Sequence, residues 1–260
     1  MRTLWIVMTA LLVAASATSA ADLTGCHQNV AAGSLGVLQN DIDCTGAQFG
    51  RWGVVLEPGA KLDLNGHSIT GGFGGVWCQG KCSIQGPGSI ENTSVSGAFL
   101  YGKARVKNVD IANCGGGIEP HDFGDTSISI KAKGVTITGS GSGISAQKVK
   151  ATDVAVSDSA FGIRGDKVRG KRVTVTGNDE IGVRCTLCKF SELVATGNGD
   201  AGLDGYGLVV LRDSTLTGND GLGLGIDVIG RTGPPILIDT VCGRSGLSDG
   251  SDWDVCADDE

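Results

Sequence analysis

Between Asn108 and Asn219 the chain repeats a short apolar pattern about every twenty residues, and this period constrains the fold more than any other feature of the sequence. Each copy begins with two apolar residues one position apart, such as Val135 and Ile137, and seven or eight residues later a glycine precedes another apolar residue, such as Gly143-Ile144. The initial pairs are Val109/Ile111, Val135/Ile137, Val154/Val156, Val173/Val175 and Leu193/Ala195, with Leu216 in the last copy. Each copy therefore predicts about three short strands separated by Gly, Ser, Asn and Asp.

A strand of four or five residues cannot bury its apolar side alone, whereas stacked coils bury a continuous column of Ile, Val and Leu. The residue after each first strand is small and polar, and we expect it to tolerate left-handed backbone and to form hydrogen bonds between coils. These residues are Ser140, Ser159, Asn178, Asn198 and Asn219. The 44 glycines and the low aromatic content of 5% fit tight corners around a thin aliphatic core, so the sequence predicts one all-β solenoid domain.

Residues 1–20 predict a secretory signal peptide, because Arg2 precedes an apolar segment that ends in small residues near Ala20. We therefore expect an extracellular or periplasmic protein, cleaved near Ala20, without a transmembrane segment. Removing Arg2 leaves 20 basic and 28 acidic residues, a net charge of −8, which argues against a general nucleic-acid binder. We assign residues 21–60 to an N-terminal cap and first coil, 61–230 to the repeats and 231–260 to a C-terminal cap, and we expect a monomer.

The best candidate for a helix is the stretch from Gln28 to Leu38, which we expect to cover the open N-terminal end of the solenoid.

The nine cysteines of an exported chain predict disulfide bonds and one residue left over. We predict Cys26–Cys44 and Cys242–Cys256 at the two ends and the local pairs Cys78/Cys82 and Cys185/Cys188, with Cys114 remaining. The alternative is one zinc site built from both local pairs, but these lie five coils apart, roughly 24 Å at strand spacing.

This repeat, with its polar turns, resembles the right-handed parallel β-helix repeat proteins, a broad group that includes pectate lyases and mannuronan C5-epimerases. The resemblance covers nearly the whole chain after the predicted signal peptide. It implies a single-stranded right-handed parallel β-helix of about eight or nine coils with short disulfide-stapled caps. The group hosts lyases, hydrolases, epimerases, adhesins and rods, so the resemblance is specific for fold and not for function.

Strand alternation predicts three outward faces. We call the first the threonine face; it carries Thr136, Thr138, Thr174, Thr176, Thr215 and Thr217. Its rows resemble the TxT rows of β-helical ice-binding proteins, but Asp110, Ala112, Ala155 and Val194 interrupt them. Threonine is also an ordinary residue for an exposed strand.

We call the second the mixed face, because acidic, basic, imidazole and phenol side chains meet on it. Its first predicted column is Trp77, Leu100, Glu119, Ser145, Arg164, Arg184 and Asp204. Its second is Gln79, Gly102, His121, Gln147, Asp166, Thr186, Tyr206 and Asp227. Two interpretations stay open: a substrate groove along this sheet, or a solvated surface whose opposite charges form weak cross-coil ion pairs.

Within the mixed face, the stretch from Gly117 to Asp122 reads Gly-Ile-Glu-Pro-His-Asp and resembles the Tyr-Gly-Phe-Asp-Pro-His-Asp motif of the mannuronan C5-epimerases. Alternation directs Glu119 and His121 to the same side, and the longer loop at residues 122–126 follows them. Two departures from the motif matter, since Gly116 stands at the position of the catalytic tyrosine and Glu119 replaces aspartate.

The third face precedes each first strand and collects most of the basic residues; we call it the basic stripe. Its members are Lys103, Arg105, Lys107, Lys131, Lys133, Lys148, Lys150, Lys167, Arg169, Lys171, Lys189 and Arg212. Like charges stacked at about 4.8 Å do not favour folding, so the stripe predicts binding to an acidic polysaccharide or cell-surface glycan. The alternative is lysine that prevents edge pairing and aggregation. The stripe lacks interleaved aromatic residues, so we do not expect nucleic acid as a partner.

Two functions remain open. A lyase- or epimerase-like enzyme would use His121 as the proton shuttle, Glu119 to orient it, and Arg164 or Arg184 to neutralise a uronate carboxylate. Tyr206 and Asp204 would contact the sugar, and a Ca²⁺ held by Asp166 and Asp204 is the alternative to arginine; otherwise no cofactor is expected. A non-catalytic binding rod would need only the basic stripe, with Lys148, Lys150, Lys167 and Arg169 at its centre.

Overall fold

The computed structural model describes residues 20–46, 50–121, 128–220, 225–247 and 251–256. Within these residues the chain forms a parallel β-solenoid of about nine turns without any helix. The predicted signal peptide, up to residue 19, and the loop at residues 122–126 lie outside the described residues. No helix in the described part is long and apolar enough to cross a membrane.

The described residues form 26 strands, numbered in chain order. The first thirteen are β1 (Ala21–Leu23), β2 (Gln28–Val30), β3 (Leu35–Leu38), β4 (Ile42–Asp43), β5 (Trp52–Leu56), β6 (Lys61–Asp63), β7 (Ser68–Thr70), β8 (Gly74–Cys78), β9 (Cys82–Gln85), β10 (Ser89–Glu91), β11 (Ala98–Leu100), β12 (Lys103–Lys107) and β13 (Asp110–Ala112). The others are β14 (Ile118–Pro120), β15 (Ser129–Thr138), β16 (Ser142–Ser145), β17 (Lys148–Ser157), β18 (Phe161–Thr176), β19 (Val183–Thr196), β20 (Leu203–Gly205), β21 (Val209–Arg212), β22 (Thr215–Thr217), β23 (Val228–Gly230), β24 (Ile236–Ile238), β25 (Val241–Cys242) and β26 (Ser245–Gly246).

The strands pair in parallel along three ladders, one for each predicted face. The basic stripe runs from β1 and β3 through β6, β9, β12, β15, β17, β18, β19 and β21 to β24. The threonine face runs from β4 through β7, β10, β13, β15, β17, β18, β19 and β22 to β25. The mixed face runs from β2 through β5, β8, β11, β14, β16, β18, β19, β20 and β23 to β26.

The core is the column of apolar residues that the period predicted. Ile137, Val156 and Val175 occupy one register column of the threonine-face ladder, and each has an exposed fraction of 0%. Val109 and Leu203 are equally buried. The prediction that these five side chains point inward is confirmed, and with it the alternation from which the outward faces were inferred.

The predicted helix from Gln28 to Leu38 is wrong, because this stretch forms strands β2 and β3. Leu35 and Val37 face outward, while Gly36 and Leu38 are buried, which is strand alternation. Gly33 interrupts the stretch in the left-handed region, with φ of 71°. The parallel ladders therefore already include the strands from Ala21 onward.

The corner after each threonine-face strand differs from the prediction by one residue. The left-handed backbone lies at Gly139, Gly177, Gly197 and Gly218, and at Asp158 in the coil without a glycine. The polar residues that follow are buried and point inward, where they form the predicted hydrogen bonds between coils. Glycine or aspartate thus makes the turn, and the next residue connects the coils.

A buried polar ladder follows from these corners. The backbone N–H of Asn178 donates to Oδ1 of Asn198 (3.2 Å), and that of Asn198 donates to Oδ1 of Asn219 (3.0 Å). The Asn219 N–H and side-chain amide both donate to Oδ1 of Asp227, whose Oδ2 accepts from the N–H of Gly243 (2.8 Å). Asp227 was predicted to face outward, and this is wrong: it has an exposed fraction of 2% and ends the ladder.

The cysteines form the four predicted disulfide bonds, Cys26–Cys44, Cys78–Cys82, Cys185–Cys188 and Cys242–Cys256. The local pairs are therefore cross-linked and do not form a zinc site. Cys114 is free and buried, and burial raises the pKa of its thiol. At the C-terminal end, Trp253 donates from Nε1 to the carbonyl of Gly230 (3.0 Å), which seats its ring on one of the last coils.

Candidate functional site

The register defines the first column of the mixed face. It contains Val55, Trp77, Phe99, Glu119, Ser145, Arg164, Arg184, Asp204 and Ile229. The prediction of Leu100 in this column is wrong, since Leu100 is fully buried and Phe99 takes the outward position. In most copies a glycine precedes the inward apolar residue of the mixed-face strand, and in this coil that pair is Gly97-Ala98. Ala98 therefore points inward, and the larger Phe99 that follows it points outward.

Aromatic side chains gather at the N-terminal end of the mixed face, in a group we call the aromatic cluster: Trp52, Phe73, Trp77, Phe99, Tyr101 and His121. Trp52 stacks on Phe99 with ring centroids 5.1 Å apart, and Tyr101 stacks on His121 at 3.9 Å. Tyr101 has an exposed fraction of 38%. Sequence reasoning missed this cluster, although five of the chain's twelve Phe, Trp and Tyr residues fall in it.

Glu119 and His121 lie on the same outward side of β14 and its extension, with Pro120 buried between them. The Glu119 carboxylate accepts hydrogen bonds from the hydroxyls of Ser96 and Ser142, both at 2.6 Å. These serines belong to the coils on either side. Glu119 therefore connects three coils. Glu119 was predicted to orient His121, but neither of these two hydrogen bonds goes to His121.

The Glu119 carboxylate lies over Gly116. A Cβ atom at Gly116 would collide with this carboxylate, so the position admits no side chain while Glu119 keeps its two serine contacts. The two departures from the epimerase motif are therefore linked: glycine at 116 makes room for the glutamate at 119. A tyrosine at position 116 would require Glu119 to move.

His121 is exposed and stands edge-on to Phe99, with ring centroids 5.4 Å apart. Its backbone N–H donates to the carbonyl of Leu100 (2.8 Å). The imidazole is therefore in contact with an aromatic ring of the preceding coil. The ring of Tyr101, which belongs to the preceding coil, brings a phenol to the same patch.

Arg164 lies two coils beyond Glu119 in the same column, as predicted, and is exposed. Glu119 and Arg164 line one hollow of about 220 Å³ together with Ser142 and Phe161. On its other side, Arg164 borders a groove of about 260 Å³ with Arg184 and Tyr206. Among the described residues, no acidic side chain forms an ion pair with Arg164.

Asp204 is fully buried beneath two arginines. Arg231 donates to both of its oxygens (2.7 and 2.9 Å), and Nε of Arg184 donates to Oδ2 (3.1 Å). The hydrogen bond with Asp204 raises the pKa of Arg231, whose guanidinium lies 4.5 Å above the Tyr206 ring. Asp204 therefore fixes the arginines of the groove and does not itself face a ligand. Alternation could not reveal this, because Arg231 arrives from the segment assigned to the cap.

These contacts bear on the Ca²⁺ alternative. Both oxygens of Asp204 already accept from guanidinium groups, and a cation there would displace them against their positive charge. Asp166 is exposed and borders the same groove. Among the described residues no group of three or more His, Cys, Asp or Glu side chains is arranged to hold a metal ion. Asp204 is therefore not free to hold Ca²⁺ in this arrangement.

The basic stripe forms three register columns of exposed cations. One column joins Arg105, Lys131, Lys150, Arg169 and Lys189; another joins Lys148 with Lys167; and a third joins Lys107 with Lys133 and contains Lys171 and Arg212. In the part of the chain that the structure describes, the one ion pair within the stripe is that of Lys171 with Glu192 (3.9 Å). The predicted stripe is thus present as a surface of largely unneutralised charge.

No family model, no curated protein and no solved structure matches the chain. The fold and its disulfides define the protein as a disulfide-bonded parallel β-solenoid.

Proposed function

We propose that the protein binds an acidic polysaccharide along the mixed face, with the sugar chain running parallel to the solenoid axis. One observation carries the proposal: Trp77 and Phe99 of the aromatic cluster lie on the same register column as the exposed Arg164, in line along the axis. Five coil steps separate Trp77 from Arg184, roughly 24 Å at strand spacing, which is room for several sugar units. The four disulfides are consistent with an extracellular protein that meets such a polymer.

The two halves of this track supply different interactions. Tyr101 and Trp77 present ring surface on which the apolar face of a pyranose stacks, and such rings combine apolar area with a polar edge. Arg164 presents a guanidinium that can hold a carboxylate through two parallel hydrogen bonds. Arg184 adds a second positive charge one coil further along. A neutral polysaccharide would use only the aromatic half, so the arrangement favours a polymer with carboxylates.

Processing of the bound uronate is a second candidate, favoured by the Tyr101–His121 stack. His121 would take the C5 proton while Arg164 neutralises the carboxylate that acidifies it. The released electron pair forms the C4–C5 double bond, the C4–O bond breaks, and the departing oxygen takes a proton from the Tyr101 hydroxyl or from water. Glu119 would position the coils that carry these groups through its two serine contacts.

A non-catalytic rod that binds through the basic stripe is the remaining alternative, supported by twelve exposed cations with little acidic compensation. It differs from the first proposal in the face that it uses. Variants on the two faces therefore separate these functions.

The test is isothermal titration calorimetry of the purified protein with an oligogalacturonate and with a neutral oligosaccharide of the same length. We expect Arg164→Gln to weaken binding of the oligogalacturonate about tenfold or more, and Tyr101→Ala about threefold to tenfold. Arg169→Gln is the matched control, because it removes the same group from an exposed position on the basic stripe. Equal affinity for the neutral sugar would refute the proposal, and a larger loss from Arg169→Gln would favour the rod.

The processing candidate has its own measurement. The absorbance of the unsaturated uronate product is followed when the protein meets pectate, alginate and a glycosaminoglycan. We expect wild type to produce it and His121→Ala to lose it while retaining binding. Binding without any product from wild type would leave the polysaccharide-binding function alone.

A further inference from the structure

The basic stripe contains a hollow at its N-terminal end, which we call the lysine hollow. Two serines create it by interrupting columns of long cationic side chains. Ser83 lies between Lys61 and Arg105 in one column. Ser129 lies between Lys103 and Lys148 in the neighbouring column. At both positions the short side chain leaves space where the surrounding coils carry lysine or arginine.

The hollow has a volume of about 280 Å³ and is surrounded by five cations: Lys61, Lys81, Lys103, Arg105 and Lys131. No acidic side chain lines it, and none of the five forms an ion pair with a described residue. Two acidic residues close to Lys61 in the sequence accept hydrogen bonds from backbone groups outside the hollow. Asp63 accepts from the N–H of Asn65 (2.9 Å), and Glu57 accepts from the N–H of Ala32 (3.0 Å).

Stability of the fold does not account for this arrangement. Stacking like charges at about 4.8 Å is unfavourable, and an exposed strand position accepts many neutral polar residues. At the opposite edge of the same sheet the chain does pair its charges, as Arg172 does with Asp153. Five uncompensated cations around a concave surface are therefore better explained by an anion that enters it.

We propose that the lysine hollow binds a phosphate monoester, on a soluble sugar or on a lipid. Four of the five cations are lysines, whose compact ammonium groups suit a rounded, multiply charged oxyanion better than a planar carboxylate. A phosphate monoester carries a charge of about −1.5 to −2 and three strong acceptor oxygens. The hydroxyls of Ser83 and Ser129 add two hydrogen-bond donors at the base of the hollow. This site is on a different face from the polysaccharide track and does not depend on it.

The test compares glucose 6-phosphate with glucuronate by isothermal titration calorimetry at constant ionic strength. We expect glucose 6-phosphate to bind about tenfold more tightly, because the doubly charged group engages several cations at once. Equal affinities would overturn the proposal. Vesicles of phosphatidylcholine with and without phosphatidic acid form the second arm, and they distinguish a lipid-borne monoester from a soluble one. Binding to neither probe would also overturn the proposal.

Filling the hollow separates a shaped site from general attraction. Ser83→Lys and Ser129→Lys place a lysine where the same columns already carry Lys131 and Lys148, so we expect both variants to fold. Each adds positive charge but occupies the hollow, and we expect affinity for glucose 6-phosphate to fall about tenfold. Tighter binding by either variant would show that only net charge matters and would refute the site.

A charge-matched pair completes the design. Lys61→Gln with Lys103→Gln removes two cations from the hollow, whereas Lys167→Gln with Lys189→Gln removes two exposed cations from the same stripe outside it. We expect the first double variant to lose binding and the second to change affinity less than about threefold. Equal losses would mean that the stripe attracts anions without a defined site. The mixed-face variants Arg164→Gln and Tyr101→Ala should leave this binding unchanged.

Discussion

The mixed face and the basic stripe both stack charged side chains along the solenoid at about 4.8 Å, yet they handle charge in opposite ways. On the mixed face, Asp204 holds Arg184 and Arg231, and Glu119 is held by two serines. On the stripe, twelve exposed cations share one ion pair among the described residues. Paired charges hold their side chains in a fixed geometry, whereas unpaired cations leave a positive potential that attracts anions.

Replacing Asp204 with alanine should have the largest effect. The change leaves Arg184 and Arg231 without their buried acceptor, and we expect it to lower the free energy of unfolding by about 3–5 kcal/mol. Lys150→Ala on the stripe should change it by less than about 0.5 kcal/mol. Urea unfolding followed by circular dichroism measures both. A loss below about 1 kcal/mol for Asp204→Ala would show that the mixed face is no more organised than the stripe.

Glu119→Ala removes the acceptor of two serine hydroxyls from neighbouring coils. We expect a loss of about 2 kcal/mol, since a hydrogen bond to a charged group contributes roughly 1.5–3 kcal/mol and the site is only partly buried. Glu119→Gln retains an acceptor and should recover part of the loss. If alanine and glutamine variants unfold at the wild-type urea concentration, the connection between the three coils is dispensable.

Neutralising the centre of the stripe should act on binding and barely on stability. With Lys148, Lys150, Lys167 and Arg169 changed to Gln, we expect salt-sensitive retention on an immobilised acidic polysaccharide to be lost. The free energy of unfolding should stay the same or rise by less than about 1 kcal/mol, because like charges have been removed. A marked destabilisation would mean that these side chains support the fold, and the contrast between the faces would fail.

The smallest effect concerns the ion pair at the edge of the stripe. The Arg172 guanidinium beside Asp153 holds the pKa of that carboxyl below its ordinary value of 3.8. A carboxyl whose pKa is lower in the folded state than in the unfolded state stabilises the fold at pH values above its unfolded-state pKa. This contribution disappears as the pH falls through the folded-state pKa. Wild type should therefore unfold at a slightly higher temperature than Asp153→Asn at pH 7. As the pH falls through the pKa of Asp153 in the folded state the two should converge, and a difference that persists in strong acid would exclude this pair as its source.

The fold was predictable because it depends on a period. Val135 and Ile137 recur one coil later as Val154 and Val156, and alternation then assigns every neighbour to a side. The errors occurred where a copy is degenerate. Leu100 was predicted to face outward, whereas the pair Gly97-Ala98 places Ala98 and Leu100 inside and Phe99 outside.

The candidate site was predictable in its residues and less so in its contacts. Glu119, His121 and Arg164 follow from alternation and appear on one face. The stack of Tyr101 on His121 and the burial of Asp204 under Arg231 involve residues from different coils. Side-chain conformation decides such contacts, and a repeat pattern does not specify it.

The buried ladder of asparagines gives the solenoid a direction of growth. Oδ1 of Asn198 and of Asn219 accepts from the asparagine of the coil before it, and the backbone N–H and side-chain amide of Asn198 donate to Asn219 in the coil after it, so the pattern repeats from one coil to the next. Asp227 breaks this rule, because its carboxylate only accepts: Oδ1 accepts from Asn219 and Oδ2 accepts from the N–H of Gly243 in the following coil. The side-chain ladder therefore ends at Asp227, because a carboxylate cannot donate to the next coil. Lengthening by duplicated coils is therefore compatible with the ladder upstream of Asp227 and not beyond it.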